Sequence, residues 1–518
     1  MAKIYDLSVS LRPYHLENSE LQLNRVTYAE AARIFAKHYQ IKVSELPGGS
    51  FFSTERIELR SHLGTHFDAP YHFYPTSEGR PAKFIDEVPL EWGFGDGVVL
   101  DFRHKKPAEP ITEYDIAGAL EKIDYTPKQG DIIALWTGGT DRYDNDPRFA
   151  ESAAGMIGGA LNYVFRLGVK IMATDSATID MPISIMTERF VKGDQAAFFP
   201  IHRAGRLTEW THAEKPANLR SLPSPYGYKF MFFPIKLSRG TGAWIRAVAI
   251  QDDCLNGHDV RLIDLSLPIM NHSFEPEQSR ISTVDHDQNQ RAKAKRLRMP
   301  VPEIVHLGAM DIVDTYTHAG THIDAPHHFG PTRNGQKAQT IDELPLEWFY
   351  GDAALLDFSA TKKAGDTISR AEVTSELDRV GYRLKAQDIV LIRTGAAAHF
   401  SDDPNFADRS IGLELDAFRW LLDQGVRVIG CDSESIDGPI APMLDALRAG
   451  RKDRFYPIHY AGRDHSFCLI HKMDLGSLSV AHGFKVAAFP IKLERCSAAW
   501  TRAVALVAKQ TRIGTNFV

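Results

Sequence analysis

Two short stretches of this chain bring together residues suited to bind a divalent metal and move a proton. The first reads His62-Leu-Gly-Thr-His66-Phe-Asp68-Ala-Pro-Tyr-His72, and the second His318-Ala-Gly-Thr-His322-Ile-Asp324-Ala-Pro-His-His328. Imidazole nitrogens with a carboxylate form a ligand set for zinc or manganese. In an extended segment, positions 62, 66 and 68 share one face, because side chains alternate with period two. A helical turn beginning at His62 also aligns it with His66. Gly64 leaves room for close backbone approach, and Pro70 stops the segment and redirects His72. A lone His-x-x-x-His pair is usually two satisfied core histidines. Four matched positions in both stretches, with the same Gly, Thr and Pro between them, point instead to a site.

The elements that must position these residues are also repeated. His318 follows His62 by 256 residues, and the chain matches itself near that offset from end to end. Asp6-Leu-Ser recurs as Asp264-Leu-Ser, and Ile85-Asp-Glu-Val-Pro-Leu-Glu-Trp92 as Ile341-Asp-Glu-Leu-Pro-Leu-Glu-Trp348. Pro200-Ile-His202 recurs as Pro457-Ile-His459, and Arg246-Ala-Val-Ala249 as Arg502-Ala-Val-Ala505. Solenoid units are far shorter, at roughly 20–50 residues, so a whole domain is duplicated. The expected units are 1–255 and 256–518, with the seam in the polar stretch Gln251-Asp-Asp-Cys-Leu-Asn-Gly-His258.

Within each unit the pattern is mixed α/β. Residues 56–61 alternate like a strand entering the motif, and 98–102 and 131–136 read as buried strands. Residues 112–123 read as a helix capped by Thr112, and 160–167 as a helix closed by Gly168 and followed by a strand at 169–173. The second unit repeats this with a helix at 416–424 and a strand at 426–429. A strand–helix–strand rhythm favours a layered α/β domain.

Composition sets the outer bounds. In 518 residues, 43% are apolar and 24% charged, ordinary for folded domains. A net charge of −6 gives no reason to propose nucleic acid or a membrane surface as partner. The N-terminus lacks the apolar stretch of a signal peptide. The four cysteines, Cys254, Cys431, Cys468 and Cys496, form no CxxC pair and read as reduced and structural, which suggests a cytoplasmic protein.

On the His-x-Gly-Thr-His-x-Asp-x-Pro-x-His signature, the chain resembles the kynurenine formamidase-like or cyclase family of metal-dependent hydrolases across both halves. The family's downstream His, followed twelve residues later by Glu, is matched by His202 and Glu214, and its closing stretch by Arg246-Ala-Val-Ala249. The resemblance implies a swivelling β/β/α domain that commonly dimerises, so the two halves are expected to pair within the chain as a pseudo-dimer, with further homo-oligomers left open. It implies that His62, His66 and Asp68 hold a first Zn2+ or Mn2+, that Asp68 bridges to a second ion on His202 and Glu214, and that His72 is the acid/base. In single-metal members the last two residues line the site. In the second half His318, His322, Asp324, His328 and His459 match, with His328 as acid/base, but His471 stands where the family prefers Glu. A second metal there should bind more weakly.

Other features carry less. The basic run Arg291-Ala-Lys-Ala-Lys-Arg-Leu-Arg298 reads as a solvated face, the alternative being a cover that attracts an anionic substrate. Phe51, Phe52, Tyr71 and Phe73 flank the first motif and read as packing rather than stacking on a substrate. Asp175 and Asp180 read as structural caps. The chemistry these residues suit is hydrolysis of a small non-peptide amide such as an arylformamide, lactam or cyclic imide. Metal-activated water would attack, and a histidine would protonate the leaving nitrogen. The absence of a GxSxG elbow weighs against a serine hydrolase. Lactone hydrolysis and cyclase or dehydratase chemistry remain open, as does one catalytic copy joined to a non-catalytic metal- or ligand-binding copy.

Overall fold

A computed structural model describes residues 2–13, 21–255, 260–297 and 308–508. Residues 256–258 of the expected seam, and Arg298 of the basic run, lie outside the described residues.

Each half folds around a nine-stranded mixed sheet. In the first half the strands run in the order Lys3–Asp6, Val248–Gln251, Lys229–Met231, Phe94–Asp101, Ile132–Trp136, Ile171–Thr174, Thr211–Glu214, His66–Asp68 and Gly242–Trp244. The four strands from Phe94–Asp101 to Thr211–Glu214 are parallel, and the motif strand joins their edge antiparallel. Ile132, Ile133, Ala134 and Leu135 are all fully buried or nearly so, as expected where a parallel sheet is covered on both faces. The second half repeats this order, with His322–Asp324 between Cys468–His471 and Ala498–Trp500.

The expected helices form with short shifts at their ends. Glu113–Lys122 starts where Thr112 accepts from the Asp115 amide and Asp115 answers in a capping box. Gly158–Arg166 and Leu415–Asp423 cover the sheets with Leu161 and Val164, and with Phe418 and Leu421.

The halves are joined by a sheet that neither could build alone. Its strands run in the order Arg280–Val284, Met310–Tyr316, Thr54–Arg60, Gln22–Val26, so the central pair comes from opposite halves. Ile57, Leu59 and Val313 are buried on it. Nearby, Trp244 and Trp500 stack with centroids 4.9 Å apart. Arg246 donates to the Pro490 carbonyl and Arg502 to the Pro234 carbonyl, each at 2.9 Å, while each also pairs with an aspartate of its own half, Asp6 or Asp264. This is the isologous pattern of a two-fold dimer, realised inside one chain. The four cysteines are free thiols, Cys254 exposed and the others buried. Among the described residues, no helix is long and apolar enough to cross a membrane.

Candidate metal centres

The motif is not extended throughout. His62 lies in the turn after Thr54–Arg60, and only His66–Asp68 is a strand. Gly64 makes the turn at φ +64°, where a Cβ would meet Leu11 Cδ2 at 2.5 Å, so glycine is required on both counts. Pro70 then opens the one-turn helix Pro70–Phe73 from its first position, which brings His72 back over Asp68.

Asp68 lies at the centre of this site. His62 Nδ1 is 2.7 Å from its Oδ1 and His66 Nε2 3.2 Å. His72, His202 and His212 each bring Nε2 to 3.7, 3.9 and 3.5 Å of Oδ2. Two overlapping groups of ligand atoms result, each lying within 4.8 Å: His62, Asp68 and His72, and Asp68, His202, His212 and Glu214. His66 Nε2 reaches Glu214 Oε2 at 3.6 Å. Asp68 is therefore shared between two ligand groups. Burial opposes ionisation of Asp68, but the surrounding imidazoles of His72, His62 and His212 outweigh it and hold the carboxyl well below the usual range. His66 Nε2 and Asp68 Oδ2 are buried and without a hydrogen-bond partner. Buried polar atoms are rarely left so, and converging N and O lone pairs fit a divalent cation.

Each imidazole is oriented from behind. His66 Nδ1 faces the Gly64 carbonyl at 2.9 Å and His72 Nδ1 the Ala309 carbonyl at 2.6 Å. A carbonyl only accepts, so both rings carry their proton on Nδ1 and turn a lone pair on Nε2 inward. His202 Nδ1 lies 2.5 Å from Asp180, which also accepts from the His202 amide. Burial works against protonation of His202, but Asp180 raises it to about 9. Asp180 is thus the carboxylate behind a site histidine, which corrects its reading as a cap alone. Asp175, which accepts from the Thr137 and Gly138 amides, is structural as expected.

Two orienting contacts cross between the halves. Asp311 accepts from the Thr241 amide and hydroxyl at 2.6 and 2.7 Å, and His62 Nε2 lies 3.0 Å from that hydroxyl. Because Thr241 spends its proton on Asp311, its oxygen accepts from His62 Nε2–H, leaving Nδ1 free to face Asp68. Glu55 repeats this toward the second half, accepting from the Ser497 amide and hydroxyl, with His318 Nε2 3.4 Å from Ser497 Oγ.

The second site has a similar frame with different contents. His318 Nδ1, His322 Nε2, His471 Nε2 and His459 Nε2 lie 2.9, 3.4, 3.3 and 3.8 Å from Asp324. His328 Nδ1 faces the Ser53 carbonyl of the first half at 2.7 Å, and His459 Nδ1 faces Asp437. Its ligand-atom groups are His318, Asp324 and His328, and Asp324, His459 and His471. Leu469 takes the place of His212 and His471 that of Glu214, so this half keeps the same number of imidazoles and loses a carboxylate. His212 was legible in principle, since it alternates with Glu214 on one strand face, but its spacing from the motif singles it out no more than other histidines.

A cavity of about 540 Å³ opens onto the second site, and part of its wall comes from the first half. The helix Tyr28–His38 lends Phe35 and its C-cap Tyr39, and Phe51 and Phe52 follow. Phe52 lies 5.0 Å from the His459 ring and 5.4 Å from His328. Expected as packing beside their own motif, these two phenylalanines line the other half's site. Tyr71 and Phe73 do pack, Tyr71 against Phe84 and Phe73 against Trp210. At the first site Gly308 stands against His72, where a Cβ would meet Cε1 at 2.3 Å. Residues 291–297 of the basic run belong to the helix His286–Leu297, with Arg291 and Lys295 exposed; His286 Nε2 lies 3.2 Å from the His72 carbonyl oxygen.

Against known proteins, the family model described as "Putative cyclase" matches residues 5–181 and again 263–438. The kynurenine formamidase of Salinibacter ruber is 28% identical over 200 residues, covering 39% of this chain and 79% of that protein. The isatin hydrolase of Roseibium aggregatum is 28% identical over 218 residues, covering 40% and 79%. A crystal structure of an isatin hydrolase bound to the product analogue thioisatinate aligns with a TM-score of 0.38 and 20% identity, over 48% of this chain and 93% of that one.

Proposed function

Since this chain belongs to the cyclase family, through both of its halves, we propose that it is a metal-dependent hydrolase of a small non-peptide amide, an arylformamide, lactam or cyclic imide. The observation that carries this reading is the convergence of buried, unpartnered His66 Nε2 and Asp68 Oδ2 with the inward-facing rings of His62, His202 and His212. The kynurenine formamidase and isatin hydrolase among its relatives support the reaction class.

In this reading His62, His66 and Asp68 hold a first divalent cation, and Asp68, His202 and Glu214, joined by His212, provide for a second. The nitrogen and oxygen donors suit Zn2+ or Mn2+. When bound, such a cation supplies Lewis acidity and access to hydroxide near neutral pH. His72 is the acid/base. Burial, then the neighbouring His62, keeps its pKa well below the usual histidine value, so the ring is neutral. Its Nδ1–H is committed to the Ala309 carbonyl. Nε2 is therefore the atom that takes a proton and returns it to the leaving nitrogen. His328, anchored on the Ser53 carbonyl, has the same role in the second half. The units carrying the two sites are 1–255 and 256–518.

A second reading, with catalysis in the first half and a metal- or ligand-binding second half, is favoured by Leu469 and His471. Both are tested by screening formanilides, cyclic imides, lactams and lactones with the full chain, before and after chelation. Hydrolysis that is lost on chelation and restored by Zn2+ or Mn2+ supports the proposal; hydrolysis indifferent to chelation overturns it.

A further inference from the structure

The two halves set different donor atoms into frames that otherwise match. In the first, Thr211–Glu214 runs antiparallel to the motif strand and pairs Glu214 with His66; in the second, Cys468–His471 pairs His471 with His322. Residues paired across strands project to one face, so sheet register brings either side chain into its site. The neighbour behind it also changes. The adjoining parallel strand ends at Thr174 in the first half and at Cys431 in the second, where His471 Nδ1 faces the Cys431 thiol at 3.5 Å. The other ring nitrogen is the one turned on Asp324, 3.3 Å from Oδ2. His471 Nε2 and Asp324 Oδ1 are buried and without a hydrogen-bond partner, the same condition that marks His66 Nε2 and Asp68 Oδ2 at the first site. The second site therefore fits a cation on its own orphaned atoms.

What it offers that cation is poorer in oxygen. The ligand group Asp68, His202, His212 and Glu214 holds two carboxylates and two imidazoles; its counterpart Asp324, His459 and His471 holds one carboxylate and two imidazoles. Glu275 and Glu434 do not make up the difference. Neither belongs to a ligand group among the described residues, and the Lys472 ammonium lies 2.8 Å from one and 3.2 Å from the other. Carboxylate oxygen suits Mn2+, imidazole suits Zn2+, and of the two Mn2+ stands lower in the general order of affinity for such donors. Exchanging a carboxylate for an imidazole thus costs Mn2+ more than Zn2+.

We propose that the halves select different metals: the first accepts Mn2+ as well as Zn2+, while the second takes Zn2+ and discriminates against Mn2+, with His471 as the residue that sets the selectivity. This rests on the metal centres of the proposed function and adds a division of labour between them.

The test is equilibrium dialysis of the full chain, stripped by chelation, against Zn2+ and Mn2+ separately and together, with bound metal counted per chain. Asp324→Ala leaves the first half to be read and Asp68→Ala the second, with circular dichroism to confirm folding. The Zn2+-to-Mn2+ affinity ratio should be higher in the second half by roughly tenfold or more, in the direction that donor type sets. Two replacements in the otherwise intact chain need no disabled site. His471→Glu should raise the Mn2+ bound per chain, and Glu214→His should lower it. Equal ratios in the two halves, Mn2+ binding unchanged by His471→Glu, or a second half that takes no divalent cation would overturn the proposal. The readout needs no turnover. Selective loading without hydrolysis of any amide would sink the hydrolase reading and leave this one standing, and chelator-sensitive hydrolysis with equal ratios would do the reverse.

Discussion

Removing the Asp311 carboxylate should loosen both the joint between the halves and the first site. Asp311 is fully buried on the inter-half sheet. It accepts from the Thr241 amide and hydroxyl at 2.6 and 2.7 Å, from Ser61 Oγ at 3.2 Å and from Thr283 Oγ1 at 2.8 Å. In Asp311→Ala the three hydroxyls can turn to other acceptors, but the Thr241 N–H cannot, and a buried donor left unmade costs about 1–3 kcal/mol. Adding a fraction of that for each hydroxyl, and subtracting the relief of no longer burying a carboxylate, gives a net loss of ~2–4 kcal/mol. Urea unfolding of the full chain, followed by the fluorescence of the stacked Trp244 and Trp500, measures it. Thr241→Val separates the two effects. Its N–H still donates to Asp311 Oδ2, but the hydroxyl that orients His62 Nε2 is gone. Most of the stability should be kept, while metal affinity at the first site falls roughly 10- to 100-fold, the usual cost of losing a partner behind a ligand. An Asp311→Ala protein within ~0.5 kcal/mol of the parent, the ordinary scatter of surface substitutions, would refute the argument. So would Thr241→Val with unchanged metal affinity.

The remaining expectations concern ligands, proton transfer and assembly. His66→Ala should abolish first-site metal binding without unfolding the protein, read by metal content per chain and circular dichroism; a fully loaded variant would remove His66 from the ligand set. His72→Ala should retain metal while turnover falls by roughly 10²–10⁴-fold; metal lost in step with rate would make His72 a ligand. Asp68→Ala should cost more activity than Asp324→Ala, because Leu469 and His471 leave the second site poorer in donors, and equal losses would mean both sites turn over. Residues 1–255 expressed alone should self-associate or precipitate, because the strand Thr54–Arg60 and Trp244 lose their partners. A soluble monomer with no affinity for the other half would contradict the shared interface.

Local chemistry was legible in the sequence because its causes lie within a few residues. The ligand segment spans eleven positions, and its Gly64 and Pro70 set the turn and the one-turn helix that shape it. Thr112 and Asp115 announce their own helix, and the repeat announces the duplication. Tertiary structure decided everything that depends on sheet order. His212 joins the site because Thr211–Glu214 lies beside His66–Asp68, and Asp180 because the chain returns to meet His202. The pseudo-two-fold axis decided still more. It places the Ala309 carbonyl behind His72, Asp311 behind Thr241, and Phe52 over His459, pairing residues from opposite halves. Spacing along a chain encodes turns and faces; it carries no record of which distant strand a two-fold exchange will bring alongside.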